Sequence, residues 1–308
     1  MNLNLKIYFL FFSLVFLGLT SPAQIEDDVV LQAMKSEVER SKTGLKKDSL
    51  AQPFFISLLV EETDLEYSYS TSFGQENDEI LNKRISRKAS PMILVGSYHR
   101  TQNFRGSSNI FSLPAADDEV AIRSAIWMNL DNEYKSAAKN YVDKMAWLKQ
   151  EKLTEEELAM DDFEKRSATT LFEEAKKEEF DFEPIKKASL QAGKLLTDKV
   201  KKEKLIVENL RTSFRFSTEL NRYYDTEGSM YKYPSRNGSF NLSISGVTEE
   251  GEDVSAYKSF RMNDLSKFPT WKELEKAMNE IVEEYQLKYV TRKDDDPYMG
   301  PVLIVDDD

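Results

Sequence analysis

The 308 residues include no cysteine and a single histidine, His99. The first absence rules out disulfides, thiolate metal sites and cysteine nucleophiles. The second rules out an H-E-x-x-H helix and leaves any zinc site to carboxylates plus one imidazole, a rare ligand set. There is no G-x-S-x-G elbow, no P-loop and no G-x-G-x-x-G. Beyond the amino terminus no segment is apolar enough to cross a membrane. Lys and Arg number 42 against 54 Asp and Glu, a net charge of −12. Such a chain repels phosphate backbones, and no basic stripe with interleaved aromatics offsets this, so no nucleic-acid partner is expected.

What is present begins with a leader. Lys6 precedes an almost wholly apolar run from Ile7 to Leu19, and Ser21 and Ala23 place small residues before Gln24. That order reads as a signal peptide over residues 1–23, cut between Ala23 and Gln24. The run falls short of the roughly 20 residues of a bilayer span, so no stable membrane anchor is expected. No cysteine follows the cut, which excludes a lipid-anchored lipoprotein. The expected location is periplasmic or extracellular, and the expected form is a soluble protein stabilised by core burial alone. Hydrophobic residues at 40% and charged residues at 31% match a folded, not a disordered, chain.

The periodicities predict an α+β fold: antiparallel sheet segments flanked by amphipathic helices, with a long central helix. Val29, Val30, Ala33, Met34 and Val38 put an apolar stripe on a helix over 25–42, with Gly44 as its stop. A strand block follows at about 52–100, punctuated by Asp64, residues 74–78 and Pro91; about four strands in a meander are predicted. Ile122, Ile126, Leu130, Tyr134, Ala138, Tyr141, Met145 and Leu148 form one stripe of a helix over 117–151. It opens a helical middle reaching about residue 204. Within it, Thr154 and Glu157 form a capping box, residues 155–183 read as a solvated helix or mobile connection, and Lys186–Lys204 read as a helix. A second strand block spans about 205–262, with turns at Asp225–Gly228, Asn237-Gly238 and Glu250-Gly251. Thr270 and Glu273 cap a last helix over about 270–288, with Trp271, Leu274, Met278, Ile281 and Tyr285 facing inward.

Candidate chemistry is sparse. Ser97 and His99 are two apart and would share a face of a strand, but spacing supplies neither the hydrogen bond nor the orienting acid of a nucleophile–base pair. They read as polar strand residues. The pairs Asp27–Asp28, Asp117–Asp118, Asp161–Asp162, Asp294–Asp296 and Asp306–Asp308 read as solvated, helix-starting or tail carboxylates. Tyr223, Tyr224, Tyr231, Tyr233 and Phe240 read as cross-strand packing partners, with a peptide groove as the functional alternative. No catalytic and no metal-binding residue is assigned.

Several segments together bear a family resemblance. LQAMKSEVERSKTGL, QPFFISLLVEE, SRKASPMILVGSYHRTQNF and DDEVAIRSAIWMNLDNEYKSAAKNYVDKMA resemble the amino-terminal region of the TldD/PmbA metallopeptidase family. DTEGSMYKYPS resembles its "EG" turn before a strand, and DDPYMGPVLIVDD its Y-x-G-P-V-L hinge. The most specific pieces are the helix with Trp127, Asp131, Tyr134 and Lys135, and Tyr298–Leu303. The resemblance implies that residues 24–308 are a TldD/PmbA-like amino-terminal, non-catalytic domain. It also implies that the carboxy-terminal metal-binding domain, with its His-Glu helix and any zinc, is absent. In the family this half helps enclose a peptide chamber and supports dimer formation. No ligand or catalytic residue has a match to carry over. Tyr298–Val305 would be an exposed edge strand or a segment pairing with another chain.

Three readings follow. The first is an exported, catalytically empty module that binds peptide or a partner chain carrying the metal domain. The second is a truncated or split part of a zinc-dependent peptidase, active only when complemented. The third is a secreted structural protein.

Overall fold

A strand of 20 residues, β1 (Pro53–Ser72), is the spine of the molecule. In this computed structural model, residues 28–47, 50–102, 109–151, 154–176, 178–290 and 300 are described. The leader with its Ala23–Gln24 junction, Asp27, the aspartates after residue 290 and all of Tyr298–Val305 but Gly300 lie outside them.

On one side, the first half of β1 pairs with β3 (Ser86–Val95) and the second half with β2 (Gln75–Asn82). Along its other side runs β6 (Asn209–Asp225), and beyond that β7 (Met230–Val247). The outer edge of β7 is likewise shared: β5 (Thr170–Phe172) joins one end and β8 (Asp253–Met262) the other. With β4 (Phe111–Leu113) beside β3, eight strands form one sheet, antiparallel except at β5–β7.

Helix α1 (Val29–Gly44) and the long α2 (Glu119–Gln150) pack over one end of the sheet. Helices α4 (Glu183–Lys202) and α5 (Trp271–Val290) pack over the other; α3 (Glu155–Ala159) is a single capped turn. Strand β6 shows that all four large helices share one face. Its even residues point one way. Tyr224 joins the core under α1 and α2, while Leu210, Phe214 and Phe216 join the core under α4 and α5. The parity of β1 changes between these cores, from Ile56, Leu58 and Val60 to Tyr67 and Tyr69. A bulge at Asp64, between the pairs Thr63–Glu219 and Leu65–Thr218, absorbs the extra residue and keeps both sets on the covered face. Helix α2 starts at the Asp117–Asp118 pair as its sequence predicts, Asp118 accepting from the N–H groups of Val120 and Ala121, while α1 begins at Val29, later than expected, with Asp28 accepting from the Leu31 N–H at 3.0 Å.

An ion network closes the first core on the side facing the second. Asp28 receives Arg222 through Nε at 2.9 Å and Lys232 through Nζ at 2.7 Å. Arg222 Nη1 lies 3.3 Å from Glu62 Oε2, without hydrogen-bond geometry. Glu62 also takes Arg87, which reaches Asp117 and the Pro114 carbonyl at the start of α2. Asp28, Glu62, Arg87 and Arg222 are all buried. Burial by itself would raise the Asp28 carboxyl. The Arg222 charge, with hydrogen bonds from Lys232 and the Leu31 N–H, outweighs it and holds the pKa below the ordinary carboxylate value.

The structure corrects several sequence expectations. Asp64 ends no strand, because a bulge carries β1 past it. Pro91 lies inside β3. Asn237-Gly238 makes no turn: β7 runs through it, fully paired with β6 on one side. At Gly238 a Cβ would come 2.7 Å from Met262 Cγ, so close packing, not a turn, occupies the glycine. Residues 155–183 are not a long solvated helix. They contain α3 and the parallel β5, and are pinned by Arg100, which donates to the Leu158 and Met160 carbonyls. Asp162 adds bonds from the Thr101 N–H and Lys144. Asp28 is not a solvated carboxylate but a buried ion partner.

Three outcomes are expected. Asp28→Ala leaves Arg222 buried with too little counter-charge and should cost about 3–5 kcal/mol in urea unfolding. Because the folded-state pKa of Asp28 is depressed, its contribution is present above the unfolded value of about 3.9 and is lost as pH falls through the lower folded value. The stability gap between wild type and Asp28→Asn should therefore narrow only below about pH 4. Gly193 of α4 sits where a Cβ would lie 2.5 Å from Thr71 Oγ1, itself bonded to Thr212 at 2.8 Å. Gly193→Ala should cost about 1–3 kcal/mol by overpacking, read as a lowered melting temperature.

Candidate functional site

The two helix pairs leave the middle of the covered face open. Across this gap the register places Glu62, Leu220 and Pro234 in one row and Leu65, Thr218 and Arg236 in the next. The chain between β5 and α4 forms one wall. Phe180 anchors that wall against Phe216, with ring centroids 5.0 Å apart, and the Arg236 guanidinium lies over the Phe180 ring, 5.6 Å from its centroid. Arg236 also pairs with Glu178 at 2.7 Å and Asp264 at 3.7 Å. The result is a groove of about 1080 Å³ with Leu65, Leu220, Pro234, Tyr233 and Phe180 as apolar surface.

Its charge is one-sided. Among the described lining residues, Glu62, Asp64, Glu173, Glu174, Glu178 and Glu179 face only Lys176 and Arg236 as cations. Some of these carboxylates are held by the fold. Glu62 takes Arg87 and Arg222, and Asp64 accepts the Thr218 hydroxyl. Glu219 borders the groove but its carboxylate accepts from Ser217, Ser235 and Asn237 on the uncovered face. The side chains of Glu173 and Glu179 make no ion pair among the described residues. The groove thus combines an apolar floor with an anionic rim. Such a surface is complementary in charge to a cationic, partly apolar ligand.

The residues singled out by sequence fall elsewhere. Ser97 and His99 are not on a strand. Ser97 Oγ accepts from the Arg100 N–H, and His99 Nδ1 lies 2.8 Å from Asp161 Oδ1, both side chains more than half exposed. No Ser–His pair forms, because the chain turns at Gly96, whose φ is +97°. Among the described residues no group of three or more His, Asp and Glu is placed to hold a metal ion. Among the described residues no helix is long and apolar enough to cross a membrane. The aromatic cluster divides by parity. Tyr223 and Tyr231 stack at 5.2 Å on the uncovered face, as a cross-strand pair, while Tyr224 and Phe240 join the two cores. Only Tyr233 reaches the groove. The groove was missed in the sequence because its parts come from separate strands and a connection. The one local signal was the acidic run of Glu173, Glu174, Glu178 and Glu179.

No protein-family model and no curated protein matches the sequence. Solved structures similar to this chain include TldE from Thermococcus kodakarensis, at 10% identity and TM-score 0.40, covering 82% of this chain and 47% of that one. A proposed modulator of DNA gyrase from Bacteroides thetaiotaomicron VPI-5482 is 11% identical with TM-score 0.42, covering 82% and 48%. Another, from Thermotoga maritima MSB8, is 10% identical with TM-score 0.37, covering 88% and 48%. The chain spans about half the length of these structures, and the likeness is one of fold alone.

Proposed function

We propose that this chain is an exported, non-catalytic binding module that takes an extended cationic segment, from a peptide or a partner chain, into the groove between its helix pairs. The observation that supports this is the pairing of an apolar floor with a carboxylate-rich rim, in which the side chains of Glu173 and Glu179 make no ion pair among the described residues. Basic side chains of a bound segment would meet the rim, and alternate apolar side chains would meet Leu65, Leu220 and Pro234. The leader-like residues 1–23 support export. The likeness of Tyr298–Leu303 to the family hinge supports a second reading, in which the module works with a zinc-bearing peptidase domain on the same or another exported chain. A reading frame encoding a His-Glu metal helix downstream of Asp308 would support the version with one truncated or split gene, and its absence would sink that version.

The test is fluorescence anisotropy with a labelled peptide of alternating Lys and Leu, against one of alternating Glu and Leu. The Lys peptide should bind and weaken as salt rises. Glu173→Gln and Glu179→Gln should each weaken it about threefold, as expected for exposed charge pairs of about 0.5–1 kcal/mol. Equal binding of both peptides, or indifference to both substitutions, would overturn the assignment.

A further inference from the structure

Among the described residues none of the four large helices packs on the opposite face of the sheet, and at the β6–β7–β8 end that face is built from hydroxyls, amides and arginines. The register sets three rows across these strands. Arg215, Ser239 and Arg261 form one; Ser213, Asn241 and Ser259 the next; Arg211, Ser243 and Tyr257 the third. The three arginines are exposed. Among the described residues none of their guanidiniums has an ion pair or a hydrogen bond. This is unexpected in a chain of net charge −12, where every other sheet arginine but these meets a carboxylate: Arg87, Arg222 and Arg236. Two strand spacings put Arg215 and Arg261 about 10 Å apart, and four residues of β6 put Arg211 about 13 Å from Arg215. Where β8 ends, a cavity of about 730 Å³ is lined by Arg215, Ser217, Ser239, Arg261 and Lys267. Among its described lining residues Glu66 is the one carboxylate, with Glu219 beside it bonded to Ser217 and Asn237, and Lys267 Nζ donates to the amide oxygen of Asn263 at 2.8 Å.

From this geometry we infer that the uncovered face binds an acidic polysaccharide, one carrying a carboxylate on its sugar rings. Charge complementarity selects an anion with repeated charges: guanidiniums at two spacings suit planar carboxylates along a chain better than a single compact ion. The floor selects sugar over peptide. β6 and β7 are interior strands, so their backbone N–H and C=O groups are spent in the ladders with their neighbours. A peptide finds its main-chain partners at a sheet edge, which here only β8 offers, and none over the rows across β6 and β7. Serine hydroxyls and asparagine amides are each donor and acceptor, which matches the hydroxyls of a sugar chain. The exposed Tyr257 ring adds a flat apolar contact at one end of the patch.

The test is calorimetric titration of the purified protein with an oligogalacturonate, its neutral methyl ester and an oligoglutamate of equal charge. The oligogalacturonate should bind, the methyl ester should not, and the oligoglutamate should bind more weakly. Arg215→Ser with Arg261→Ser should weaken the oligogalacturonate about tenfold or more. These side chains touch no core, so the melting temperature should not change, and neither should binding of the Lys–Leu peptide in the groove. No oligogalacturonate binding, equal binding of the ester, or an unaffected double variant would overturn the inference. Tighter binding of oligoglutamate would also overturn it, and would assign the face to acidic peptides.

Discussion

The Asp28–Arg222–Glu62–Arg87 chain of charges is what the rest of the architecture depends on. It joins the first turn of α1 to β6, β1 and β3, and continues through Asp117 to the start of α2. Buried ion pairs add little net stability over apolar packing, but they penalise every arrangement that separates them. A shift of one residue in β1, β3 or β6 would turn Glu62, Arg87 or Arg222 to the opposite face. The network therefore specifies register more than it adds stability. It also explains why the sheet can be so long. Apolar contacts tolerate several alignments of strands rich in Val, Ile and Leu, and a charged row tolerates one.

That row also divides the molecule. Core one, under α1 and α2, ends at Tyr224, and core two, under α4 and α5, begins beyond Leu65. Between them the sheet is covered by no helix, and the groove occupies that interval. The bulge at Asp64 lies in the same interval, where an extra residue is needed so that a single strand can serve both cores. The groove follows from joining two helix-covered units through shared strands: β1, β6 and β7 are continuous, and the helices are not.

The two faces of the sheet differ in chemistry because the strands alternate strictly. On β6, even positions carry Leu210, Thr212, Phe214 and Phe216, and odd positions carry Arg211, Ser213, Arg215 and Ser217. This alternation keeps the uncovered face wet and discourages sheet-on-sheet stacking by apolar contact. It also places an unneutralised basic patch on one side of the sheet and an acidic groove on the other. A protein of strongly negative net charge thus presents two surfaces of opposite charge.

Much of the fold was legible residue by residue. The caps Asp118, Thr154 and Thr270, the stripe from Ile122 to Ala138 and the inward set Leu274, Met278, Ile281 and Tyr285 are local patterns, and all appear in the structure. The α+β class follows from them. So does the lack of cysteine chemistry, since composition alone decides it. Other features were not local. Asp28 and Arg222 are 194 residues apart, and nothing near Asp28 in sequence marks it as buried. Asp64, Pro91 and Asn237-Gly238 look like strand breaks, because the residues that keep those strands continuous belong to their neighbours. The groove and the arginine rows likewise exist only once register is set, because they are made across strands. Sequence by itself determined the α+β class, the main helices and the apolar face of each, through short-range periodicity and capping. Tertiary structure decided which charges meet, which are left without partners and where the sheet stays open, because those outcomes depend on long-range pairing.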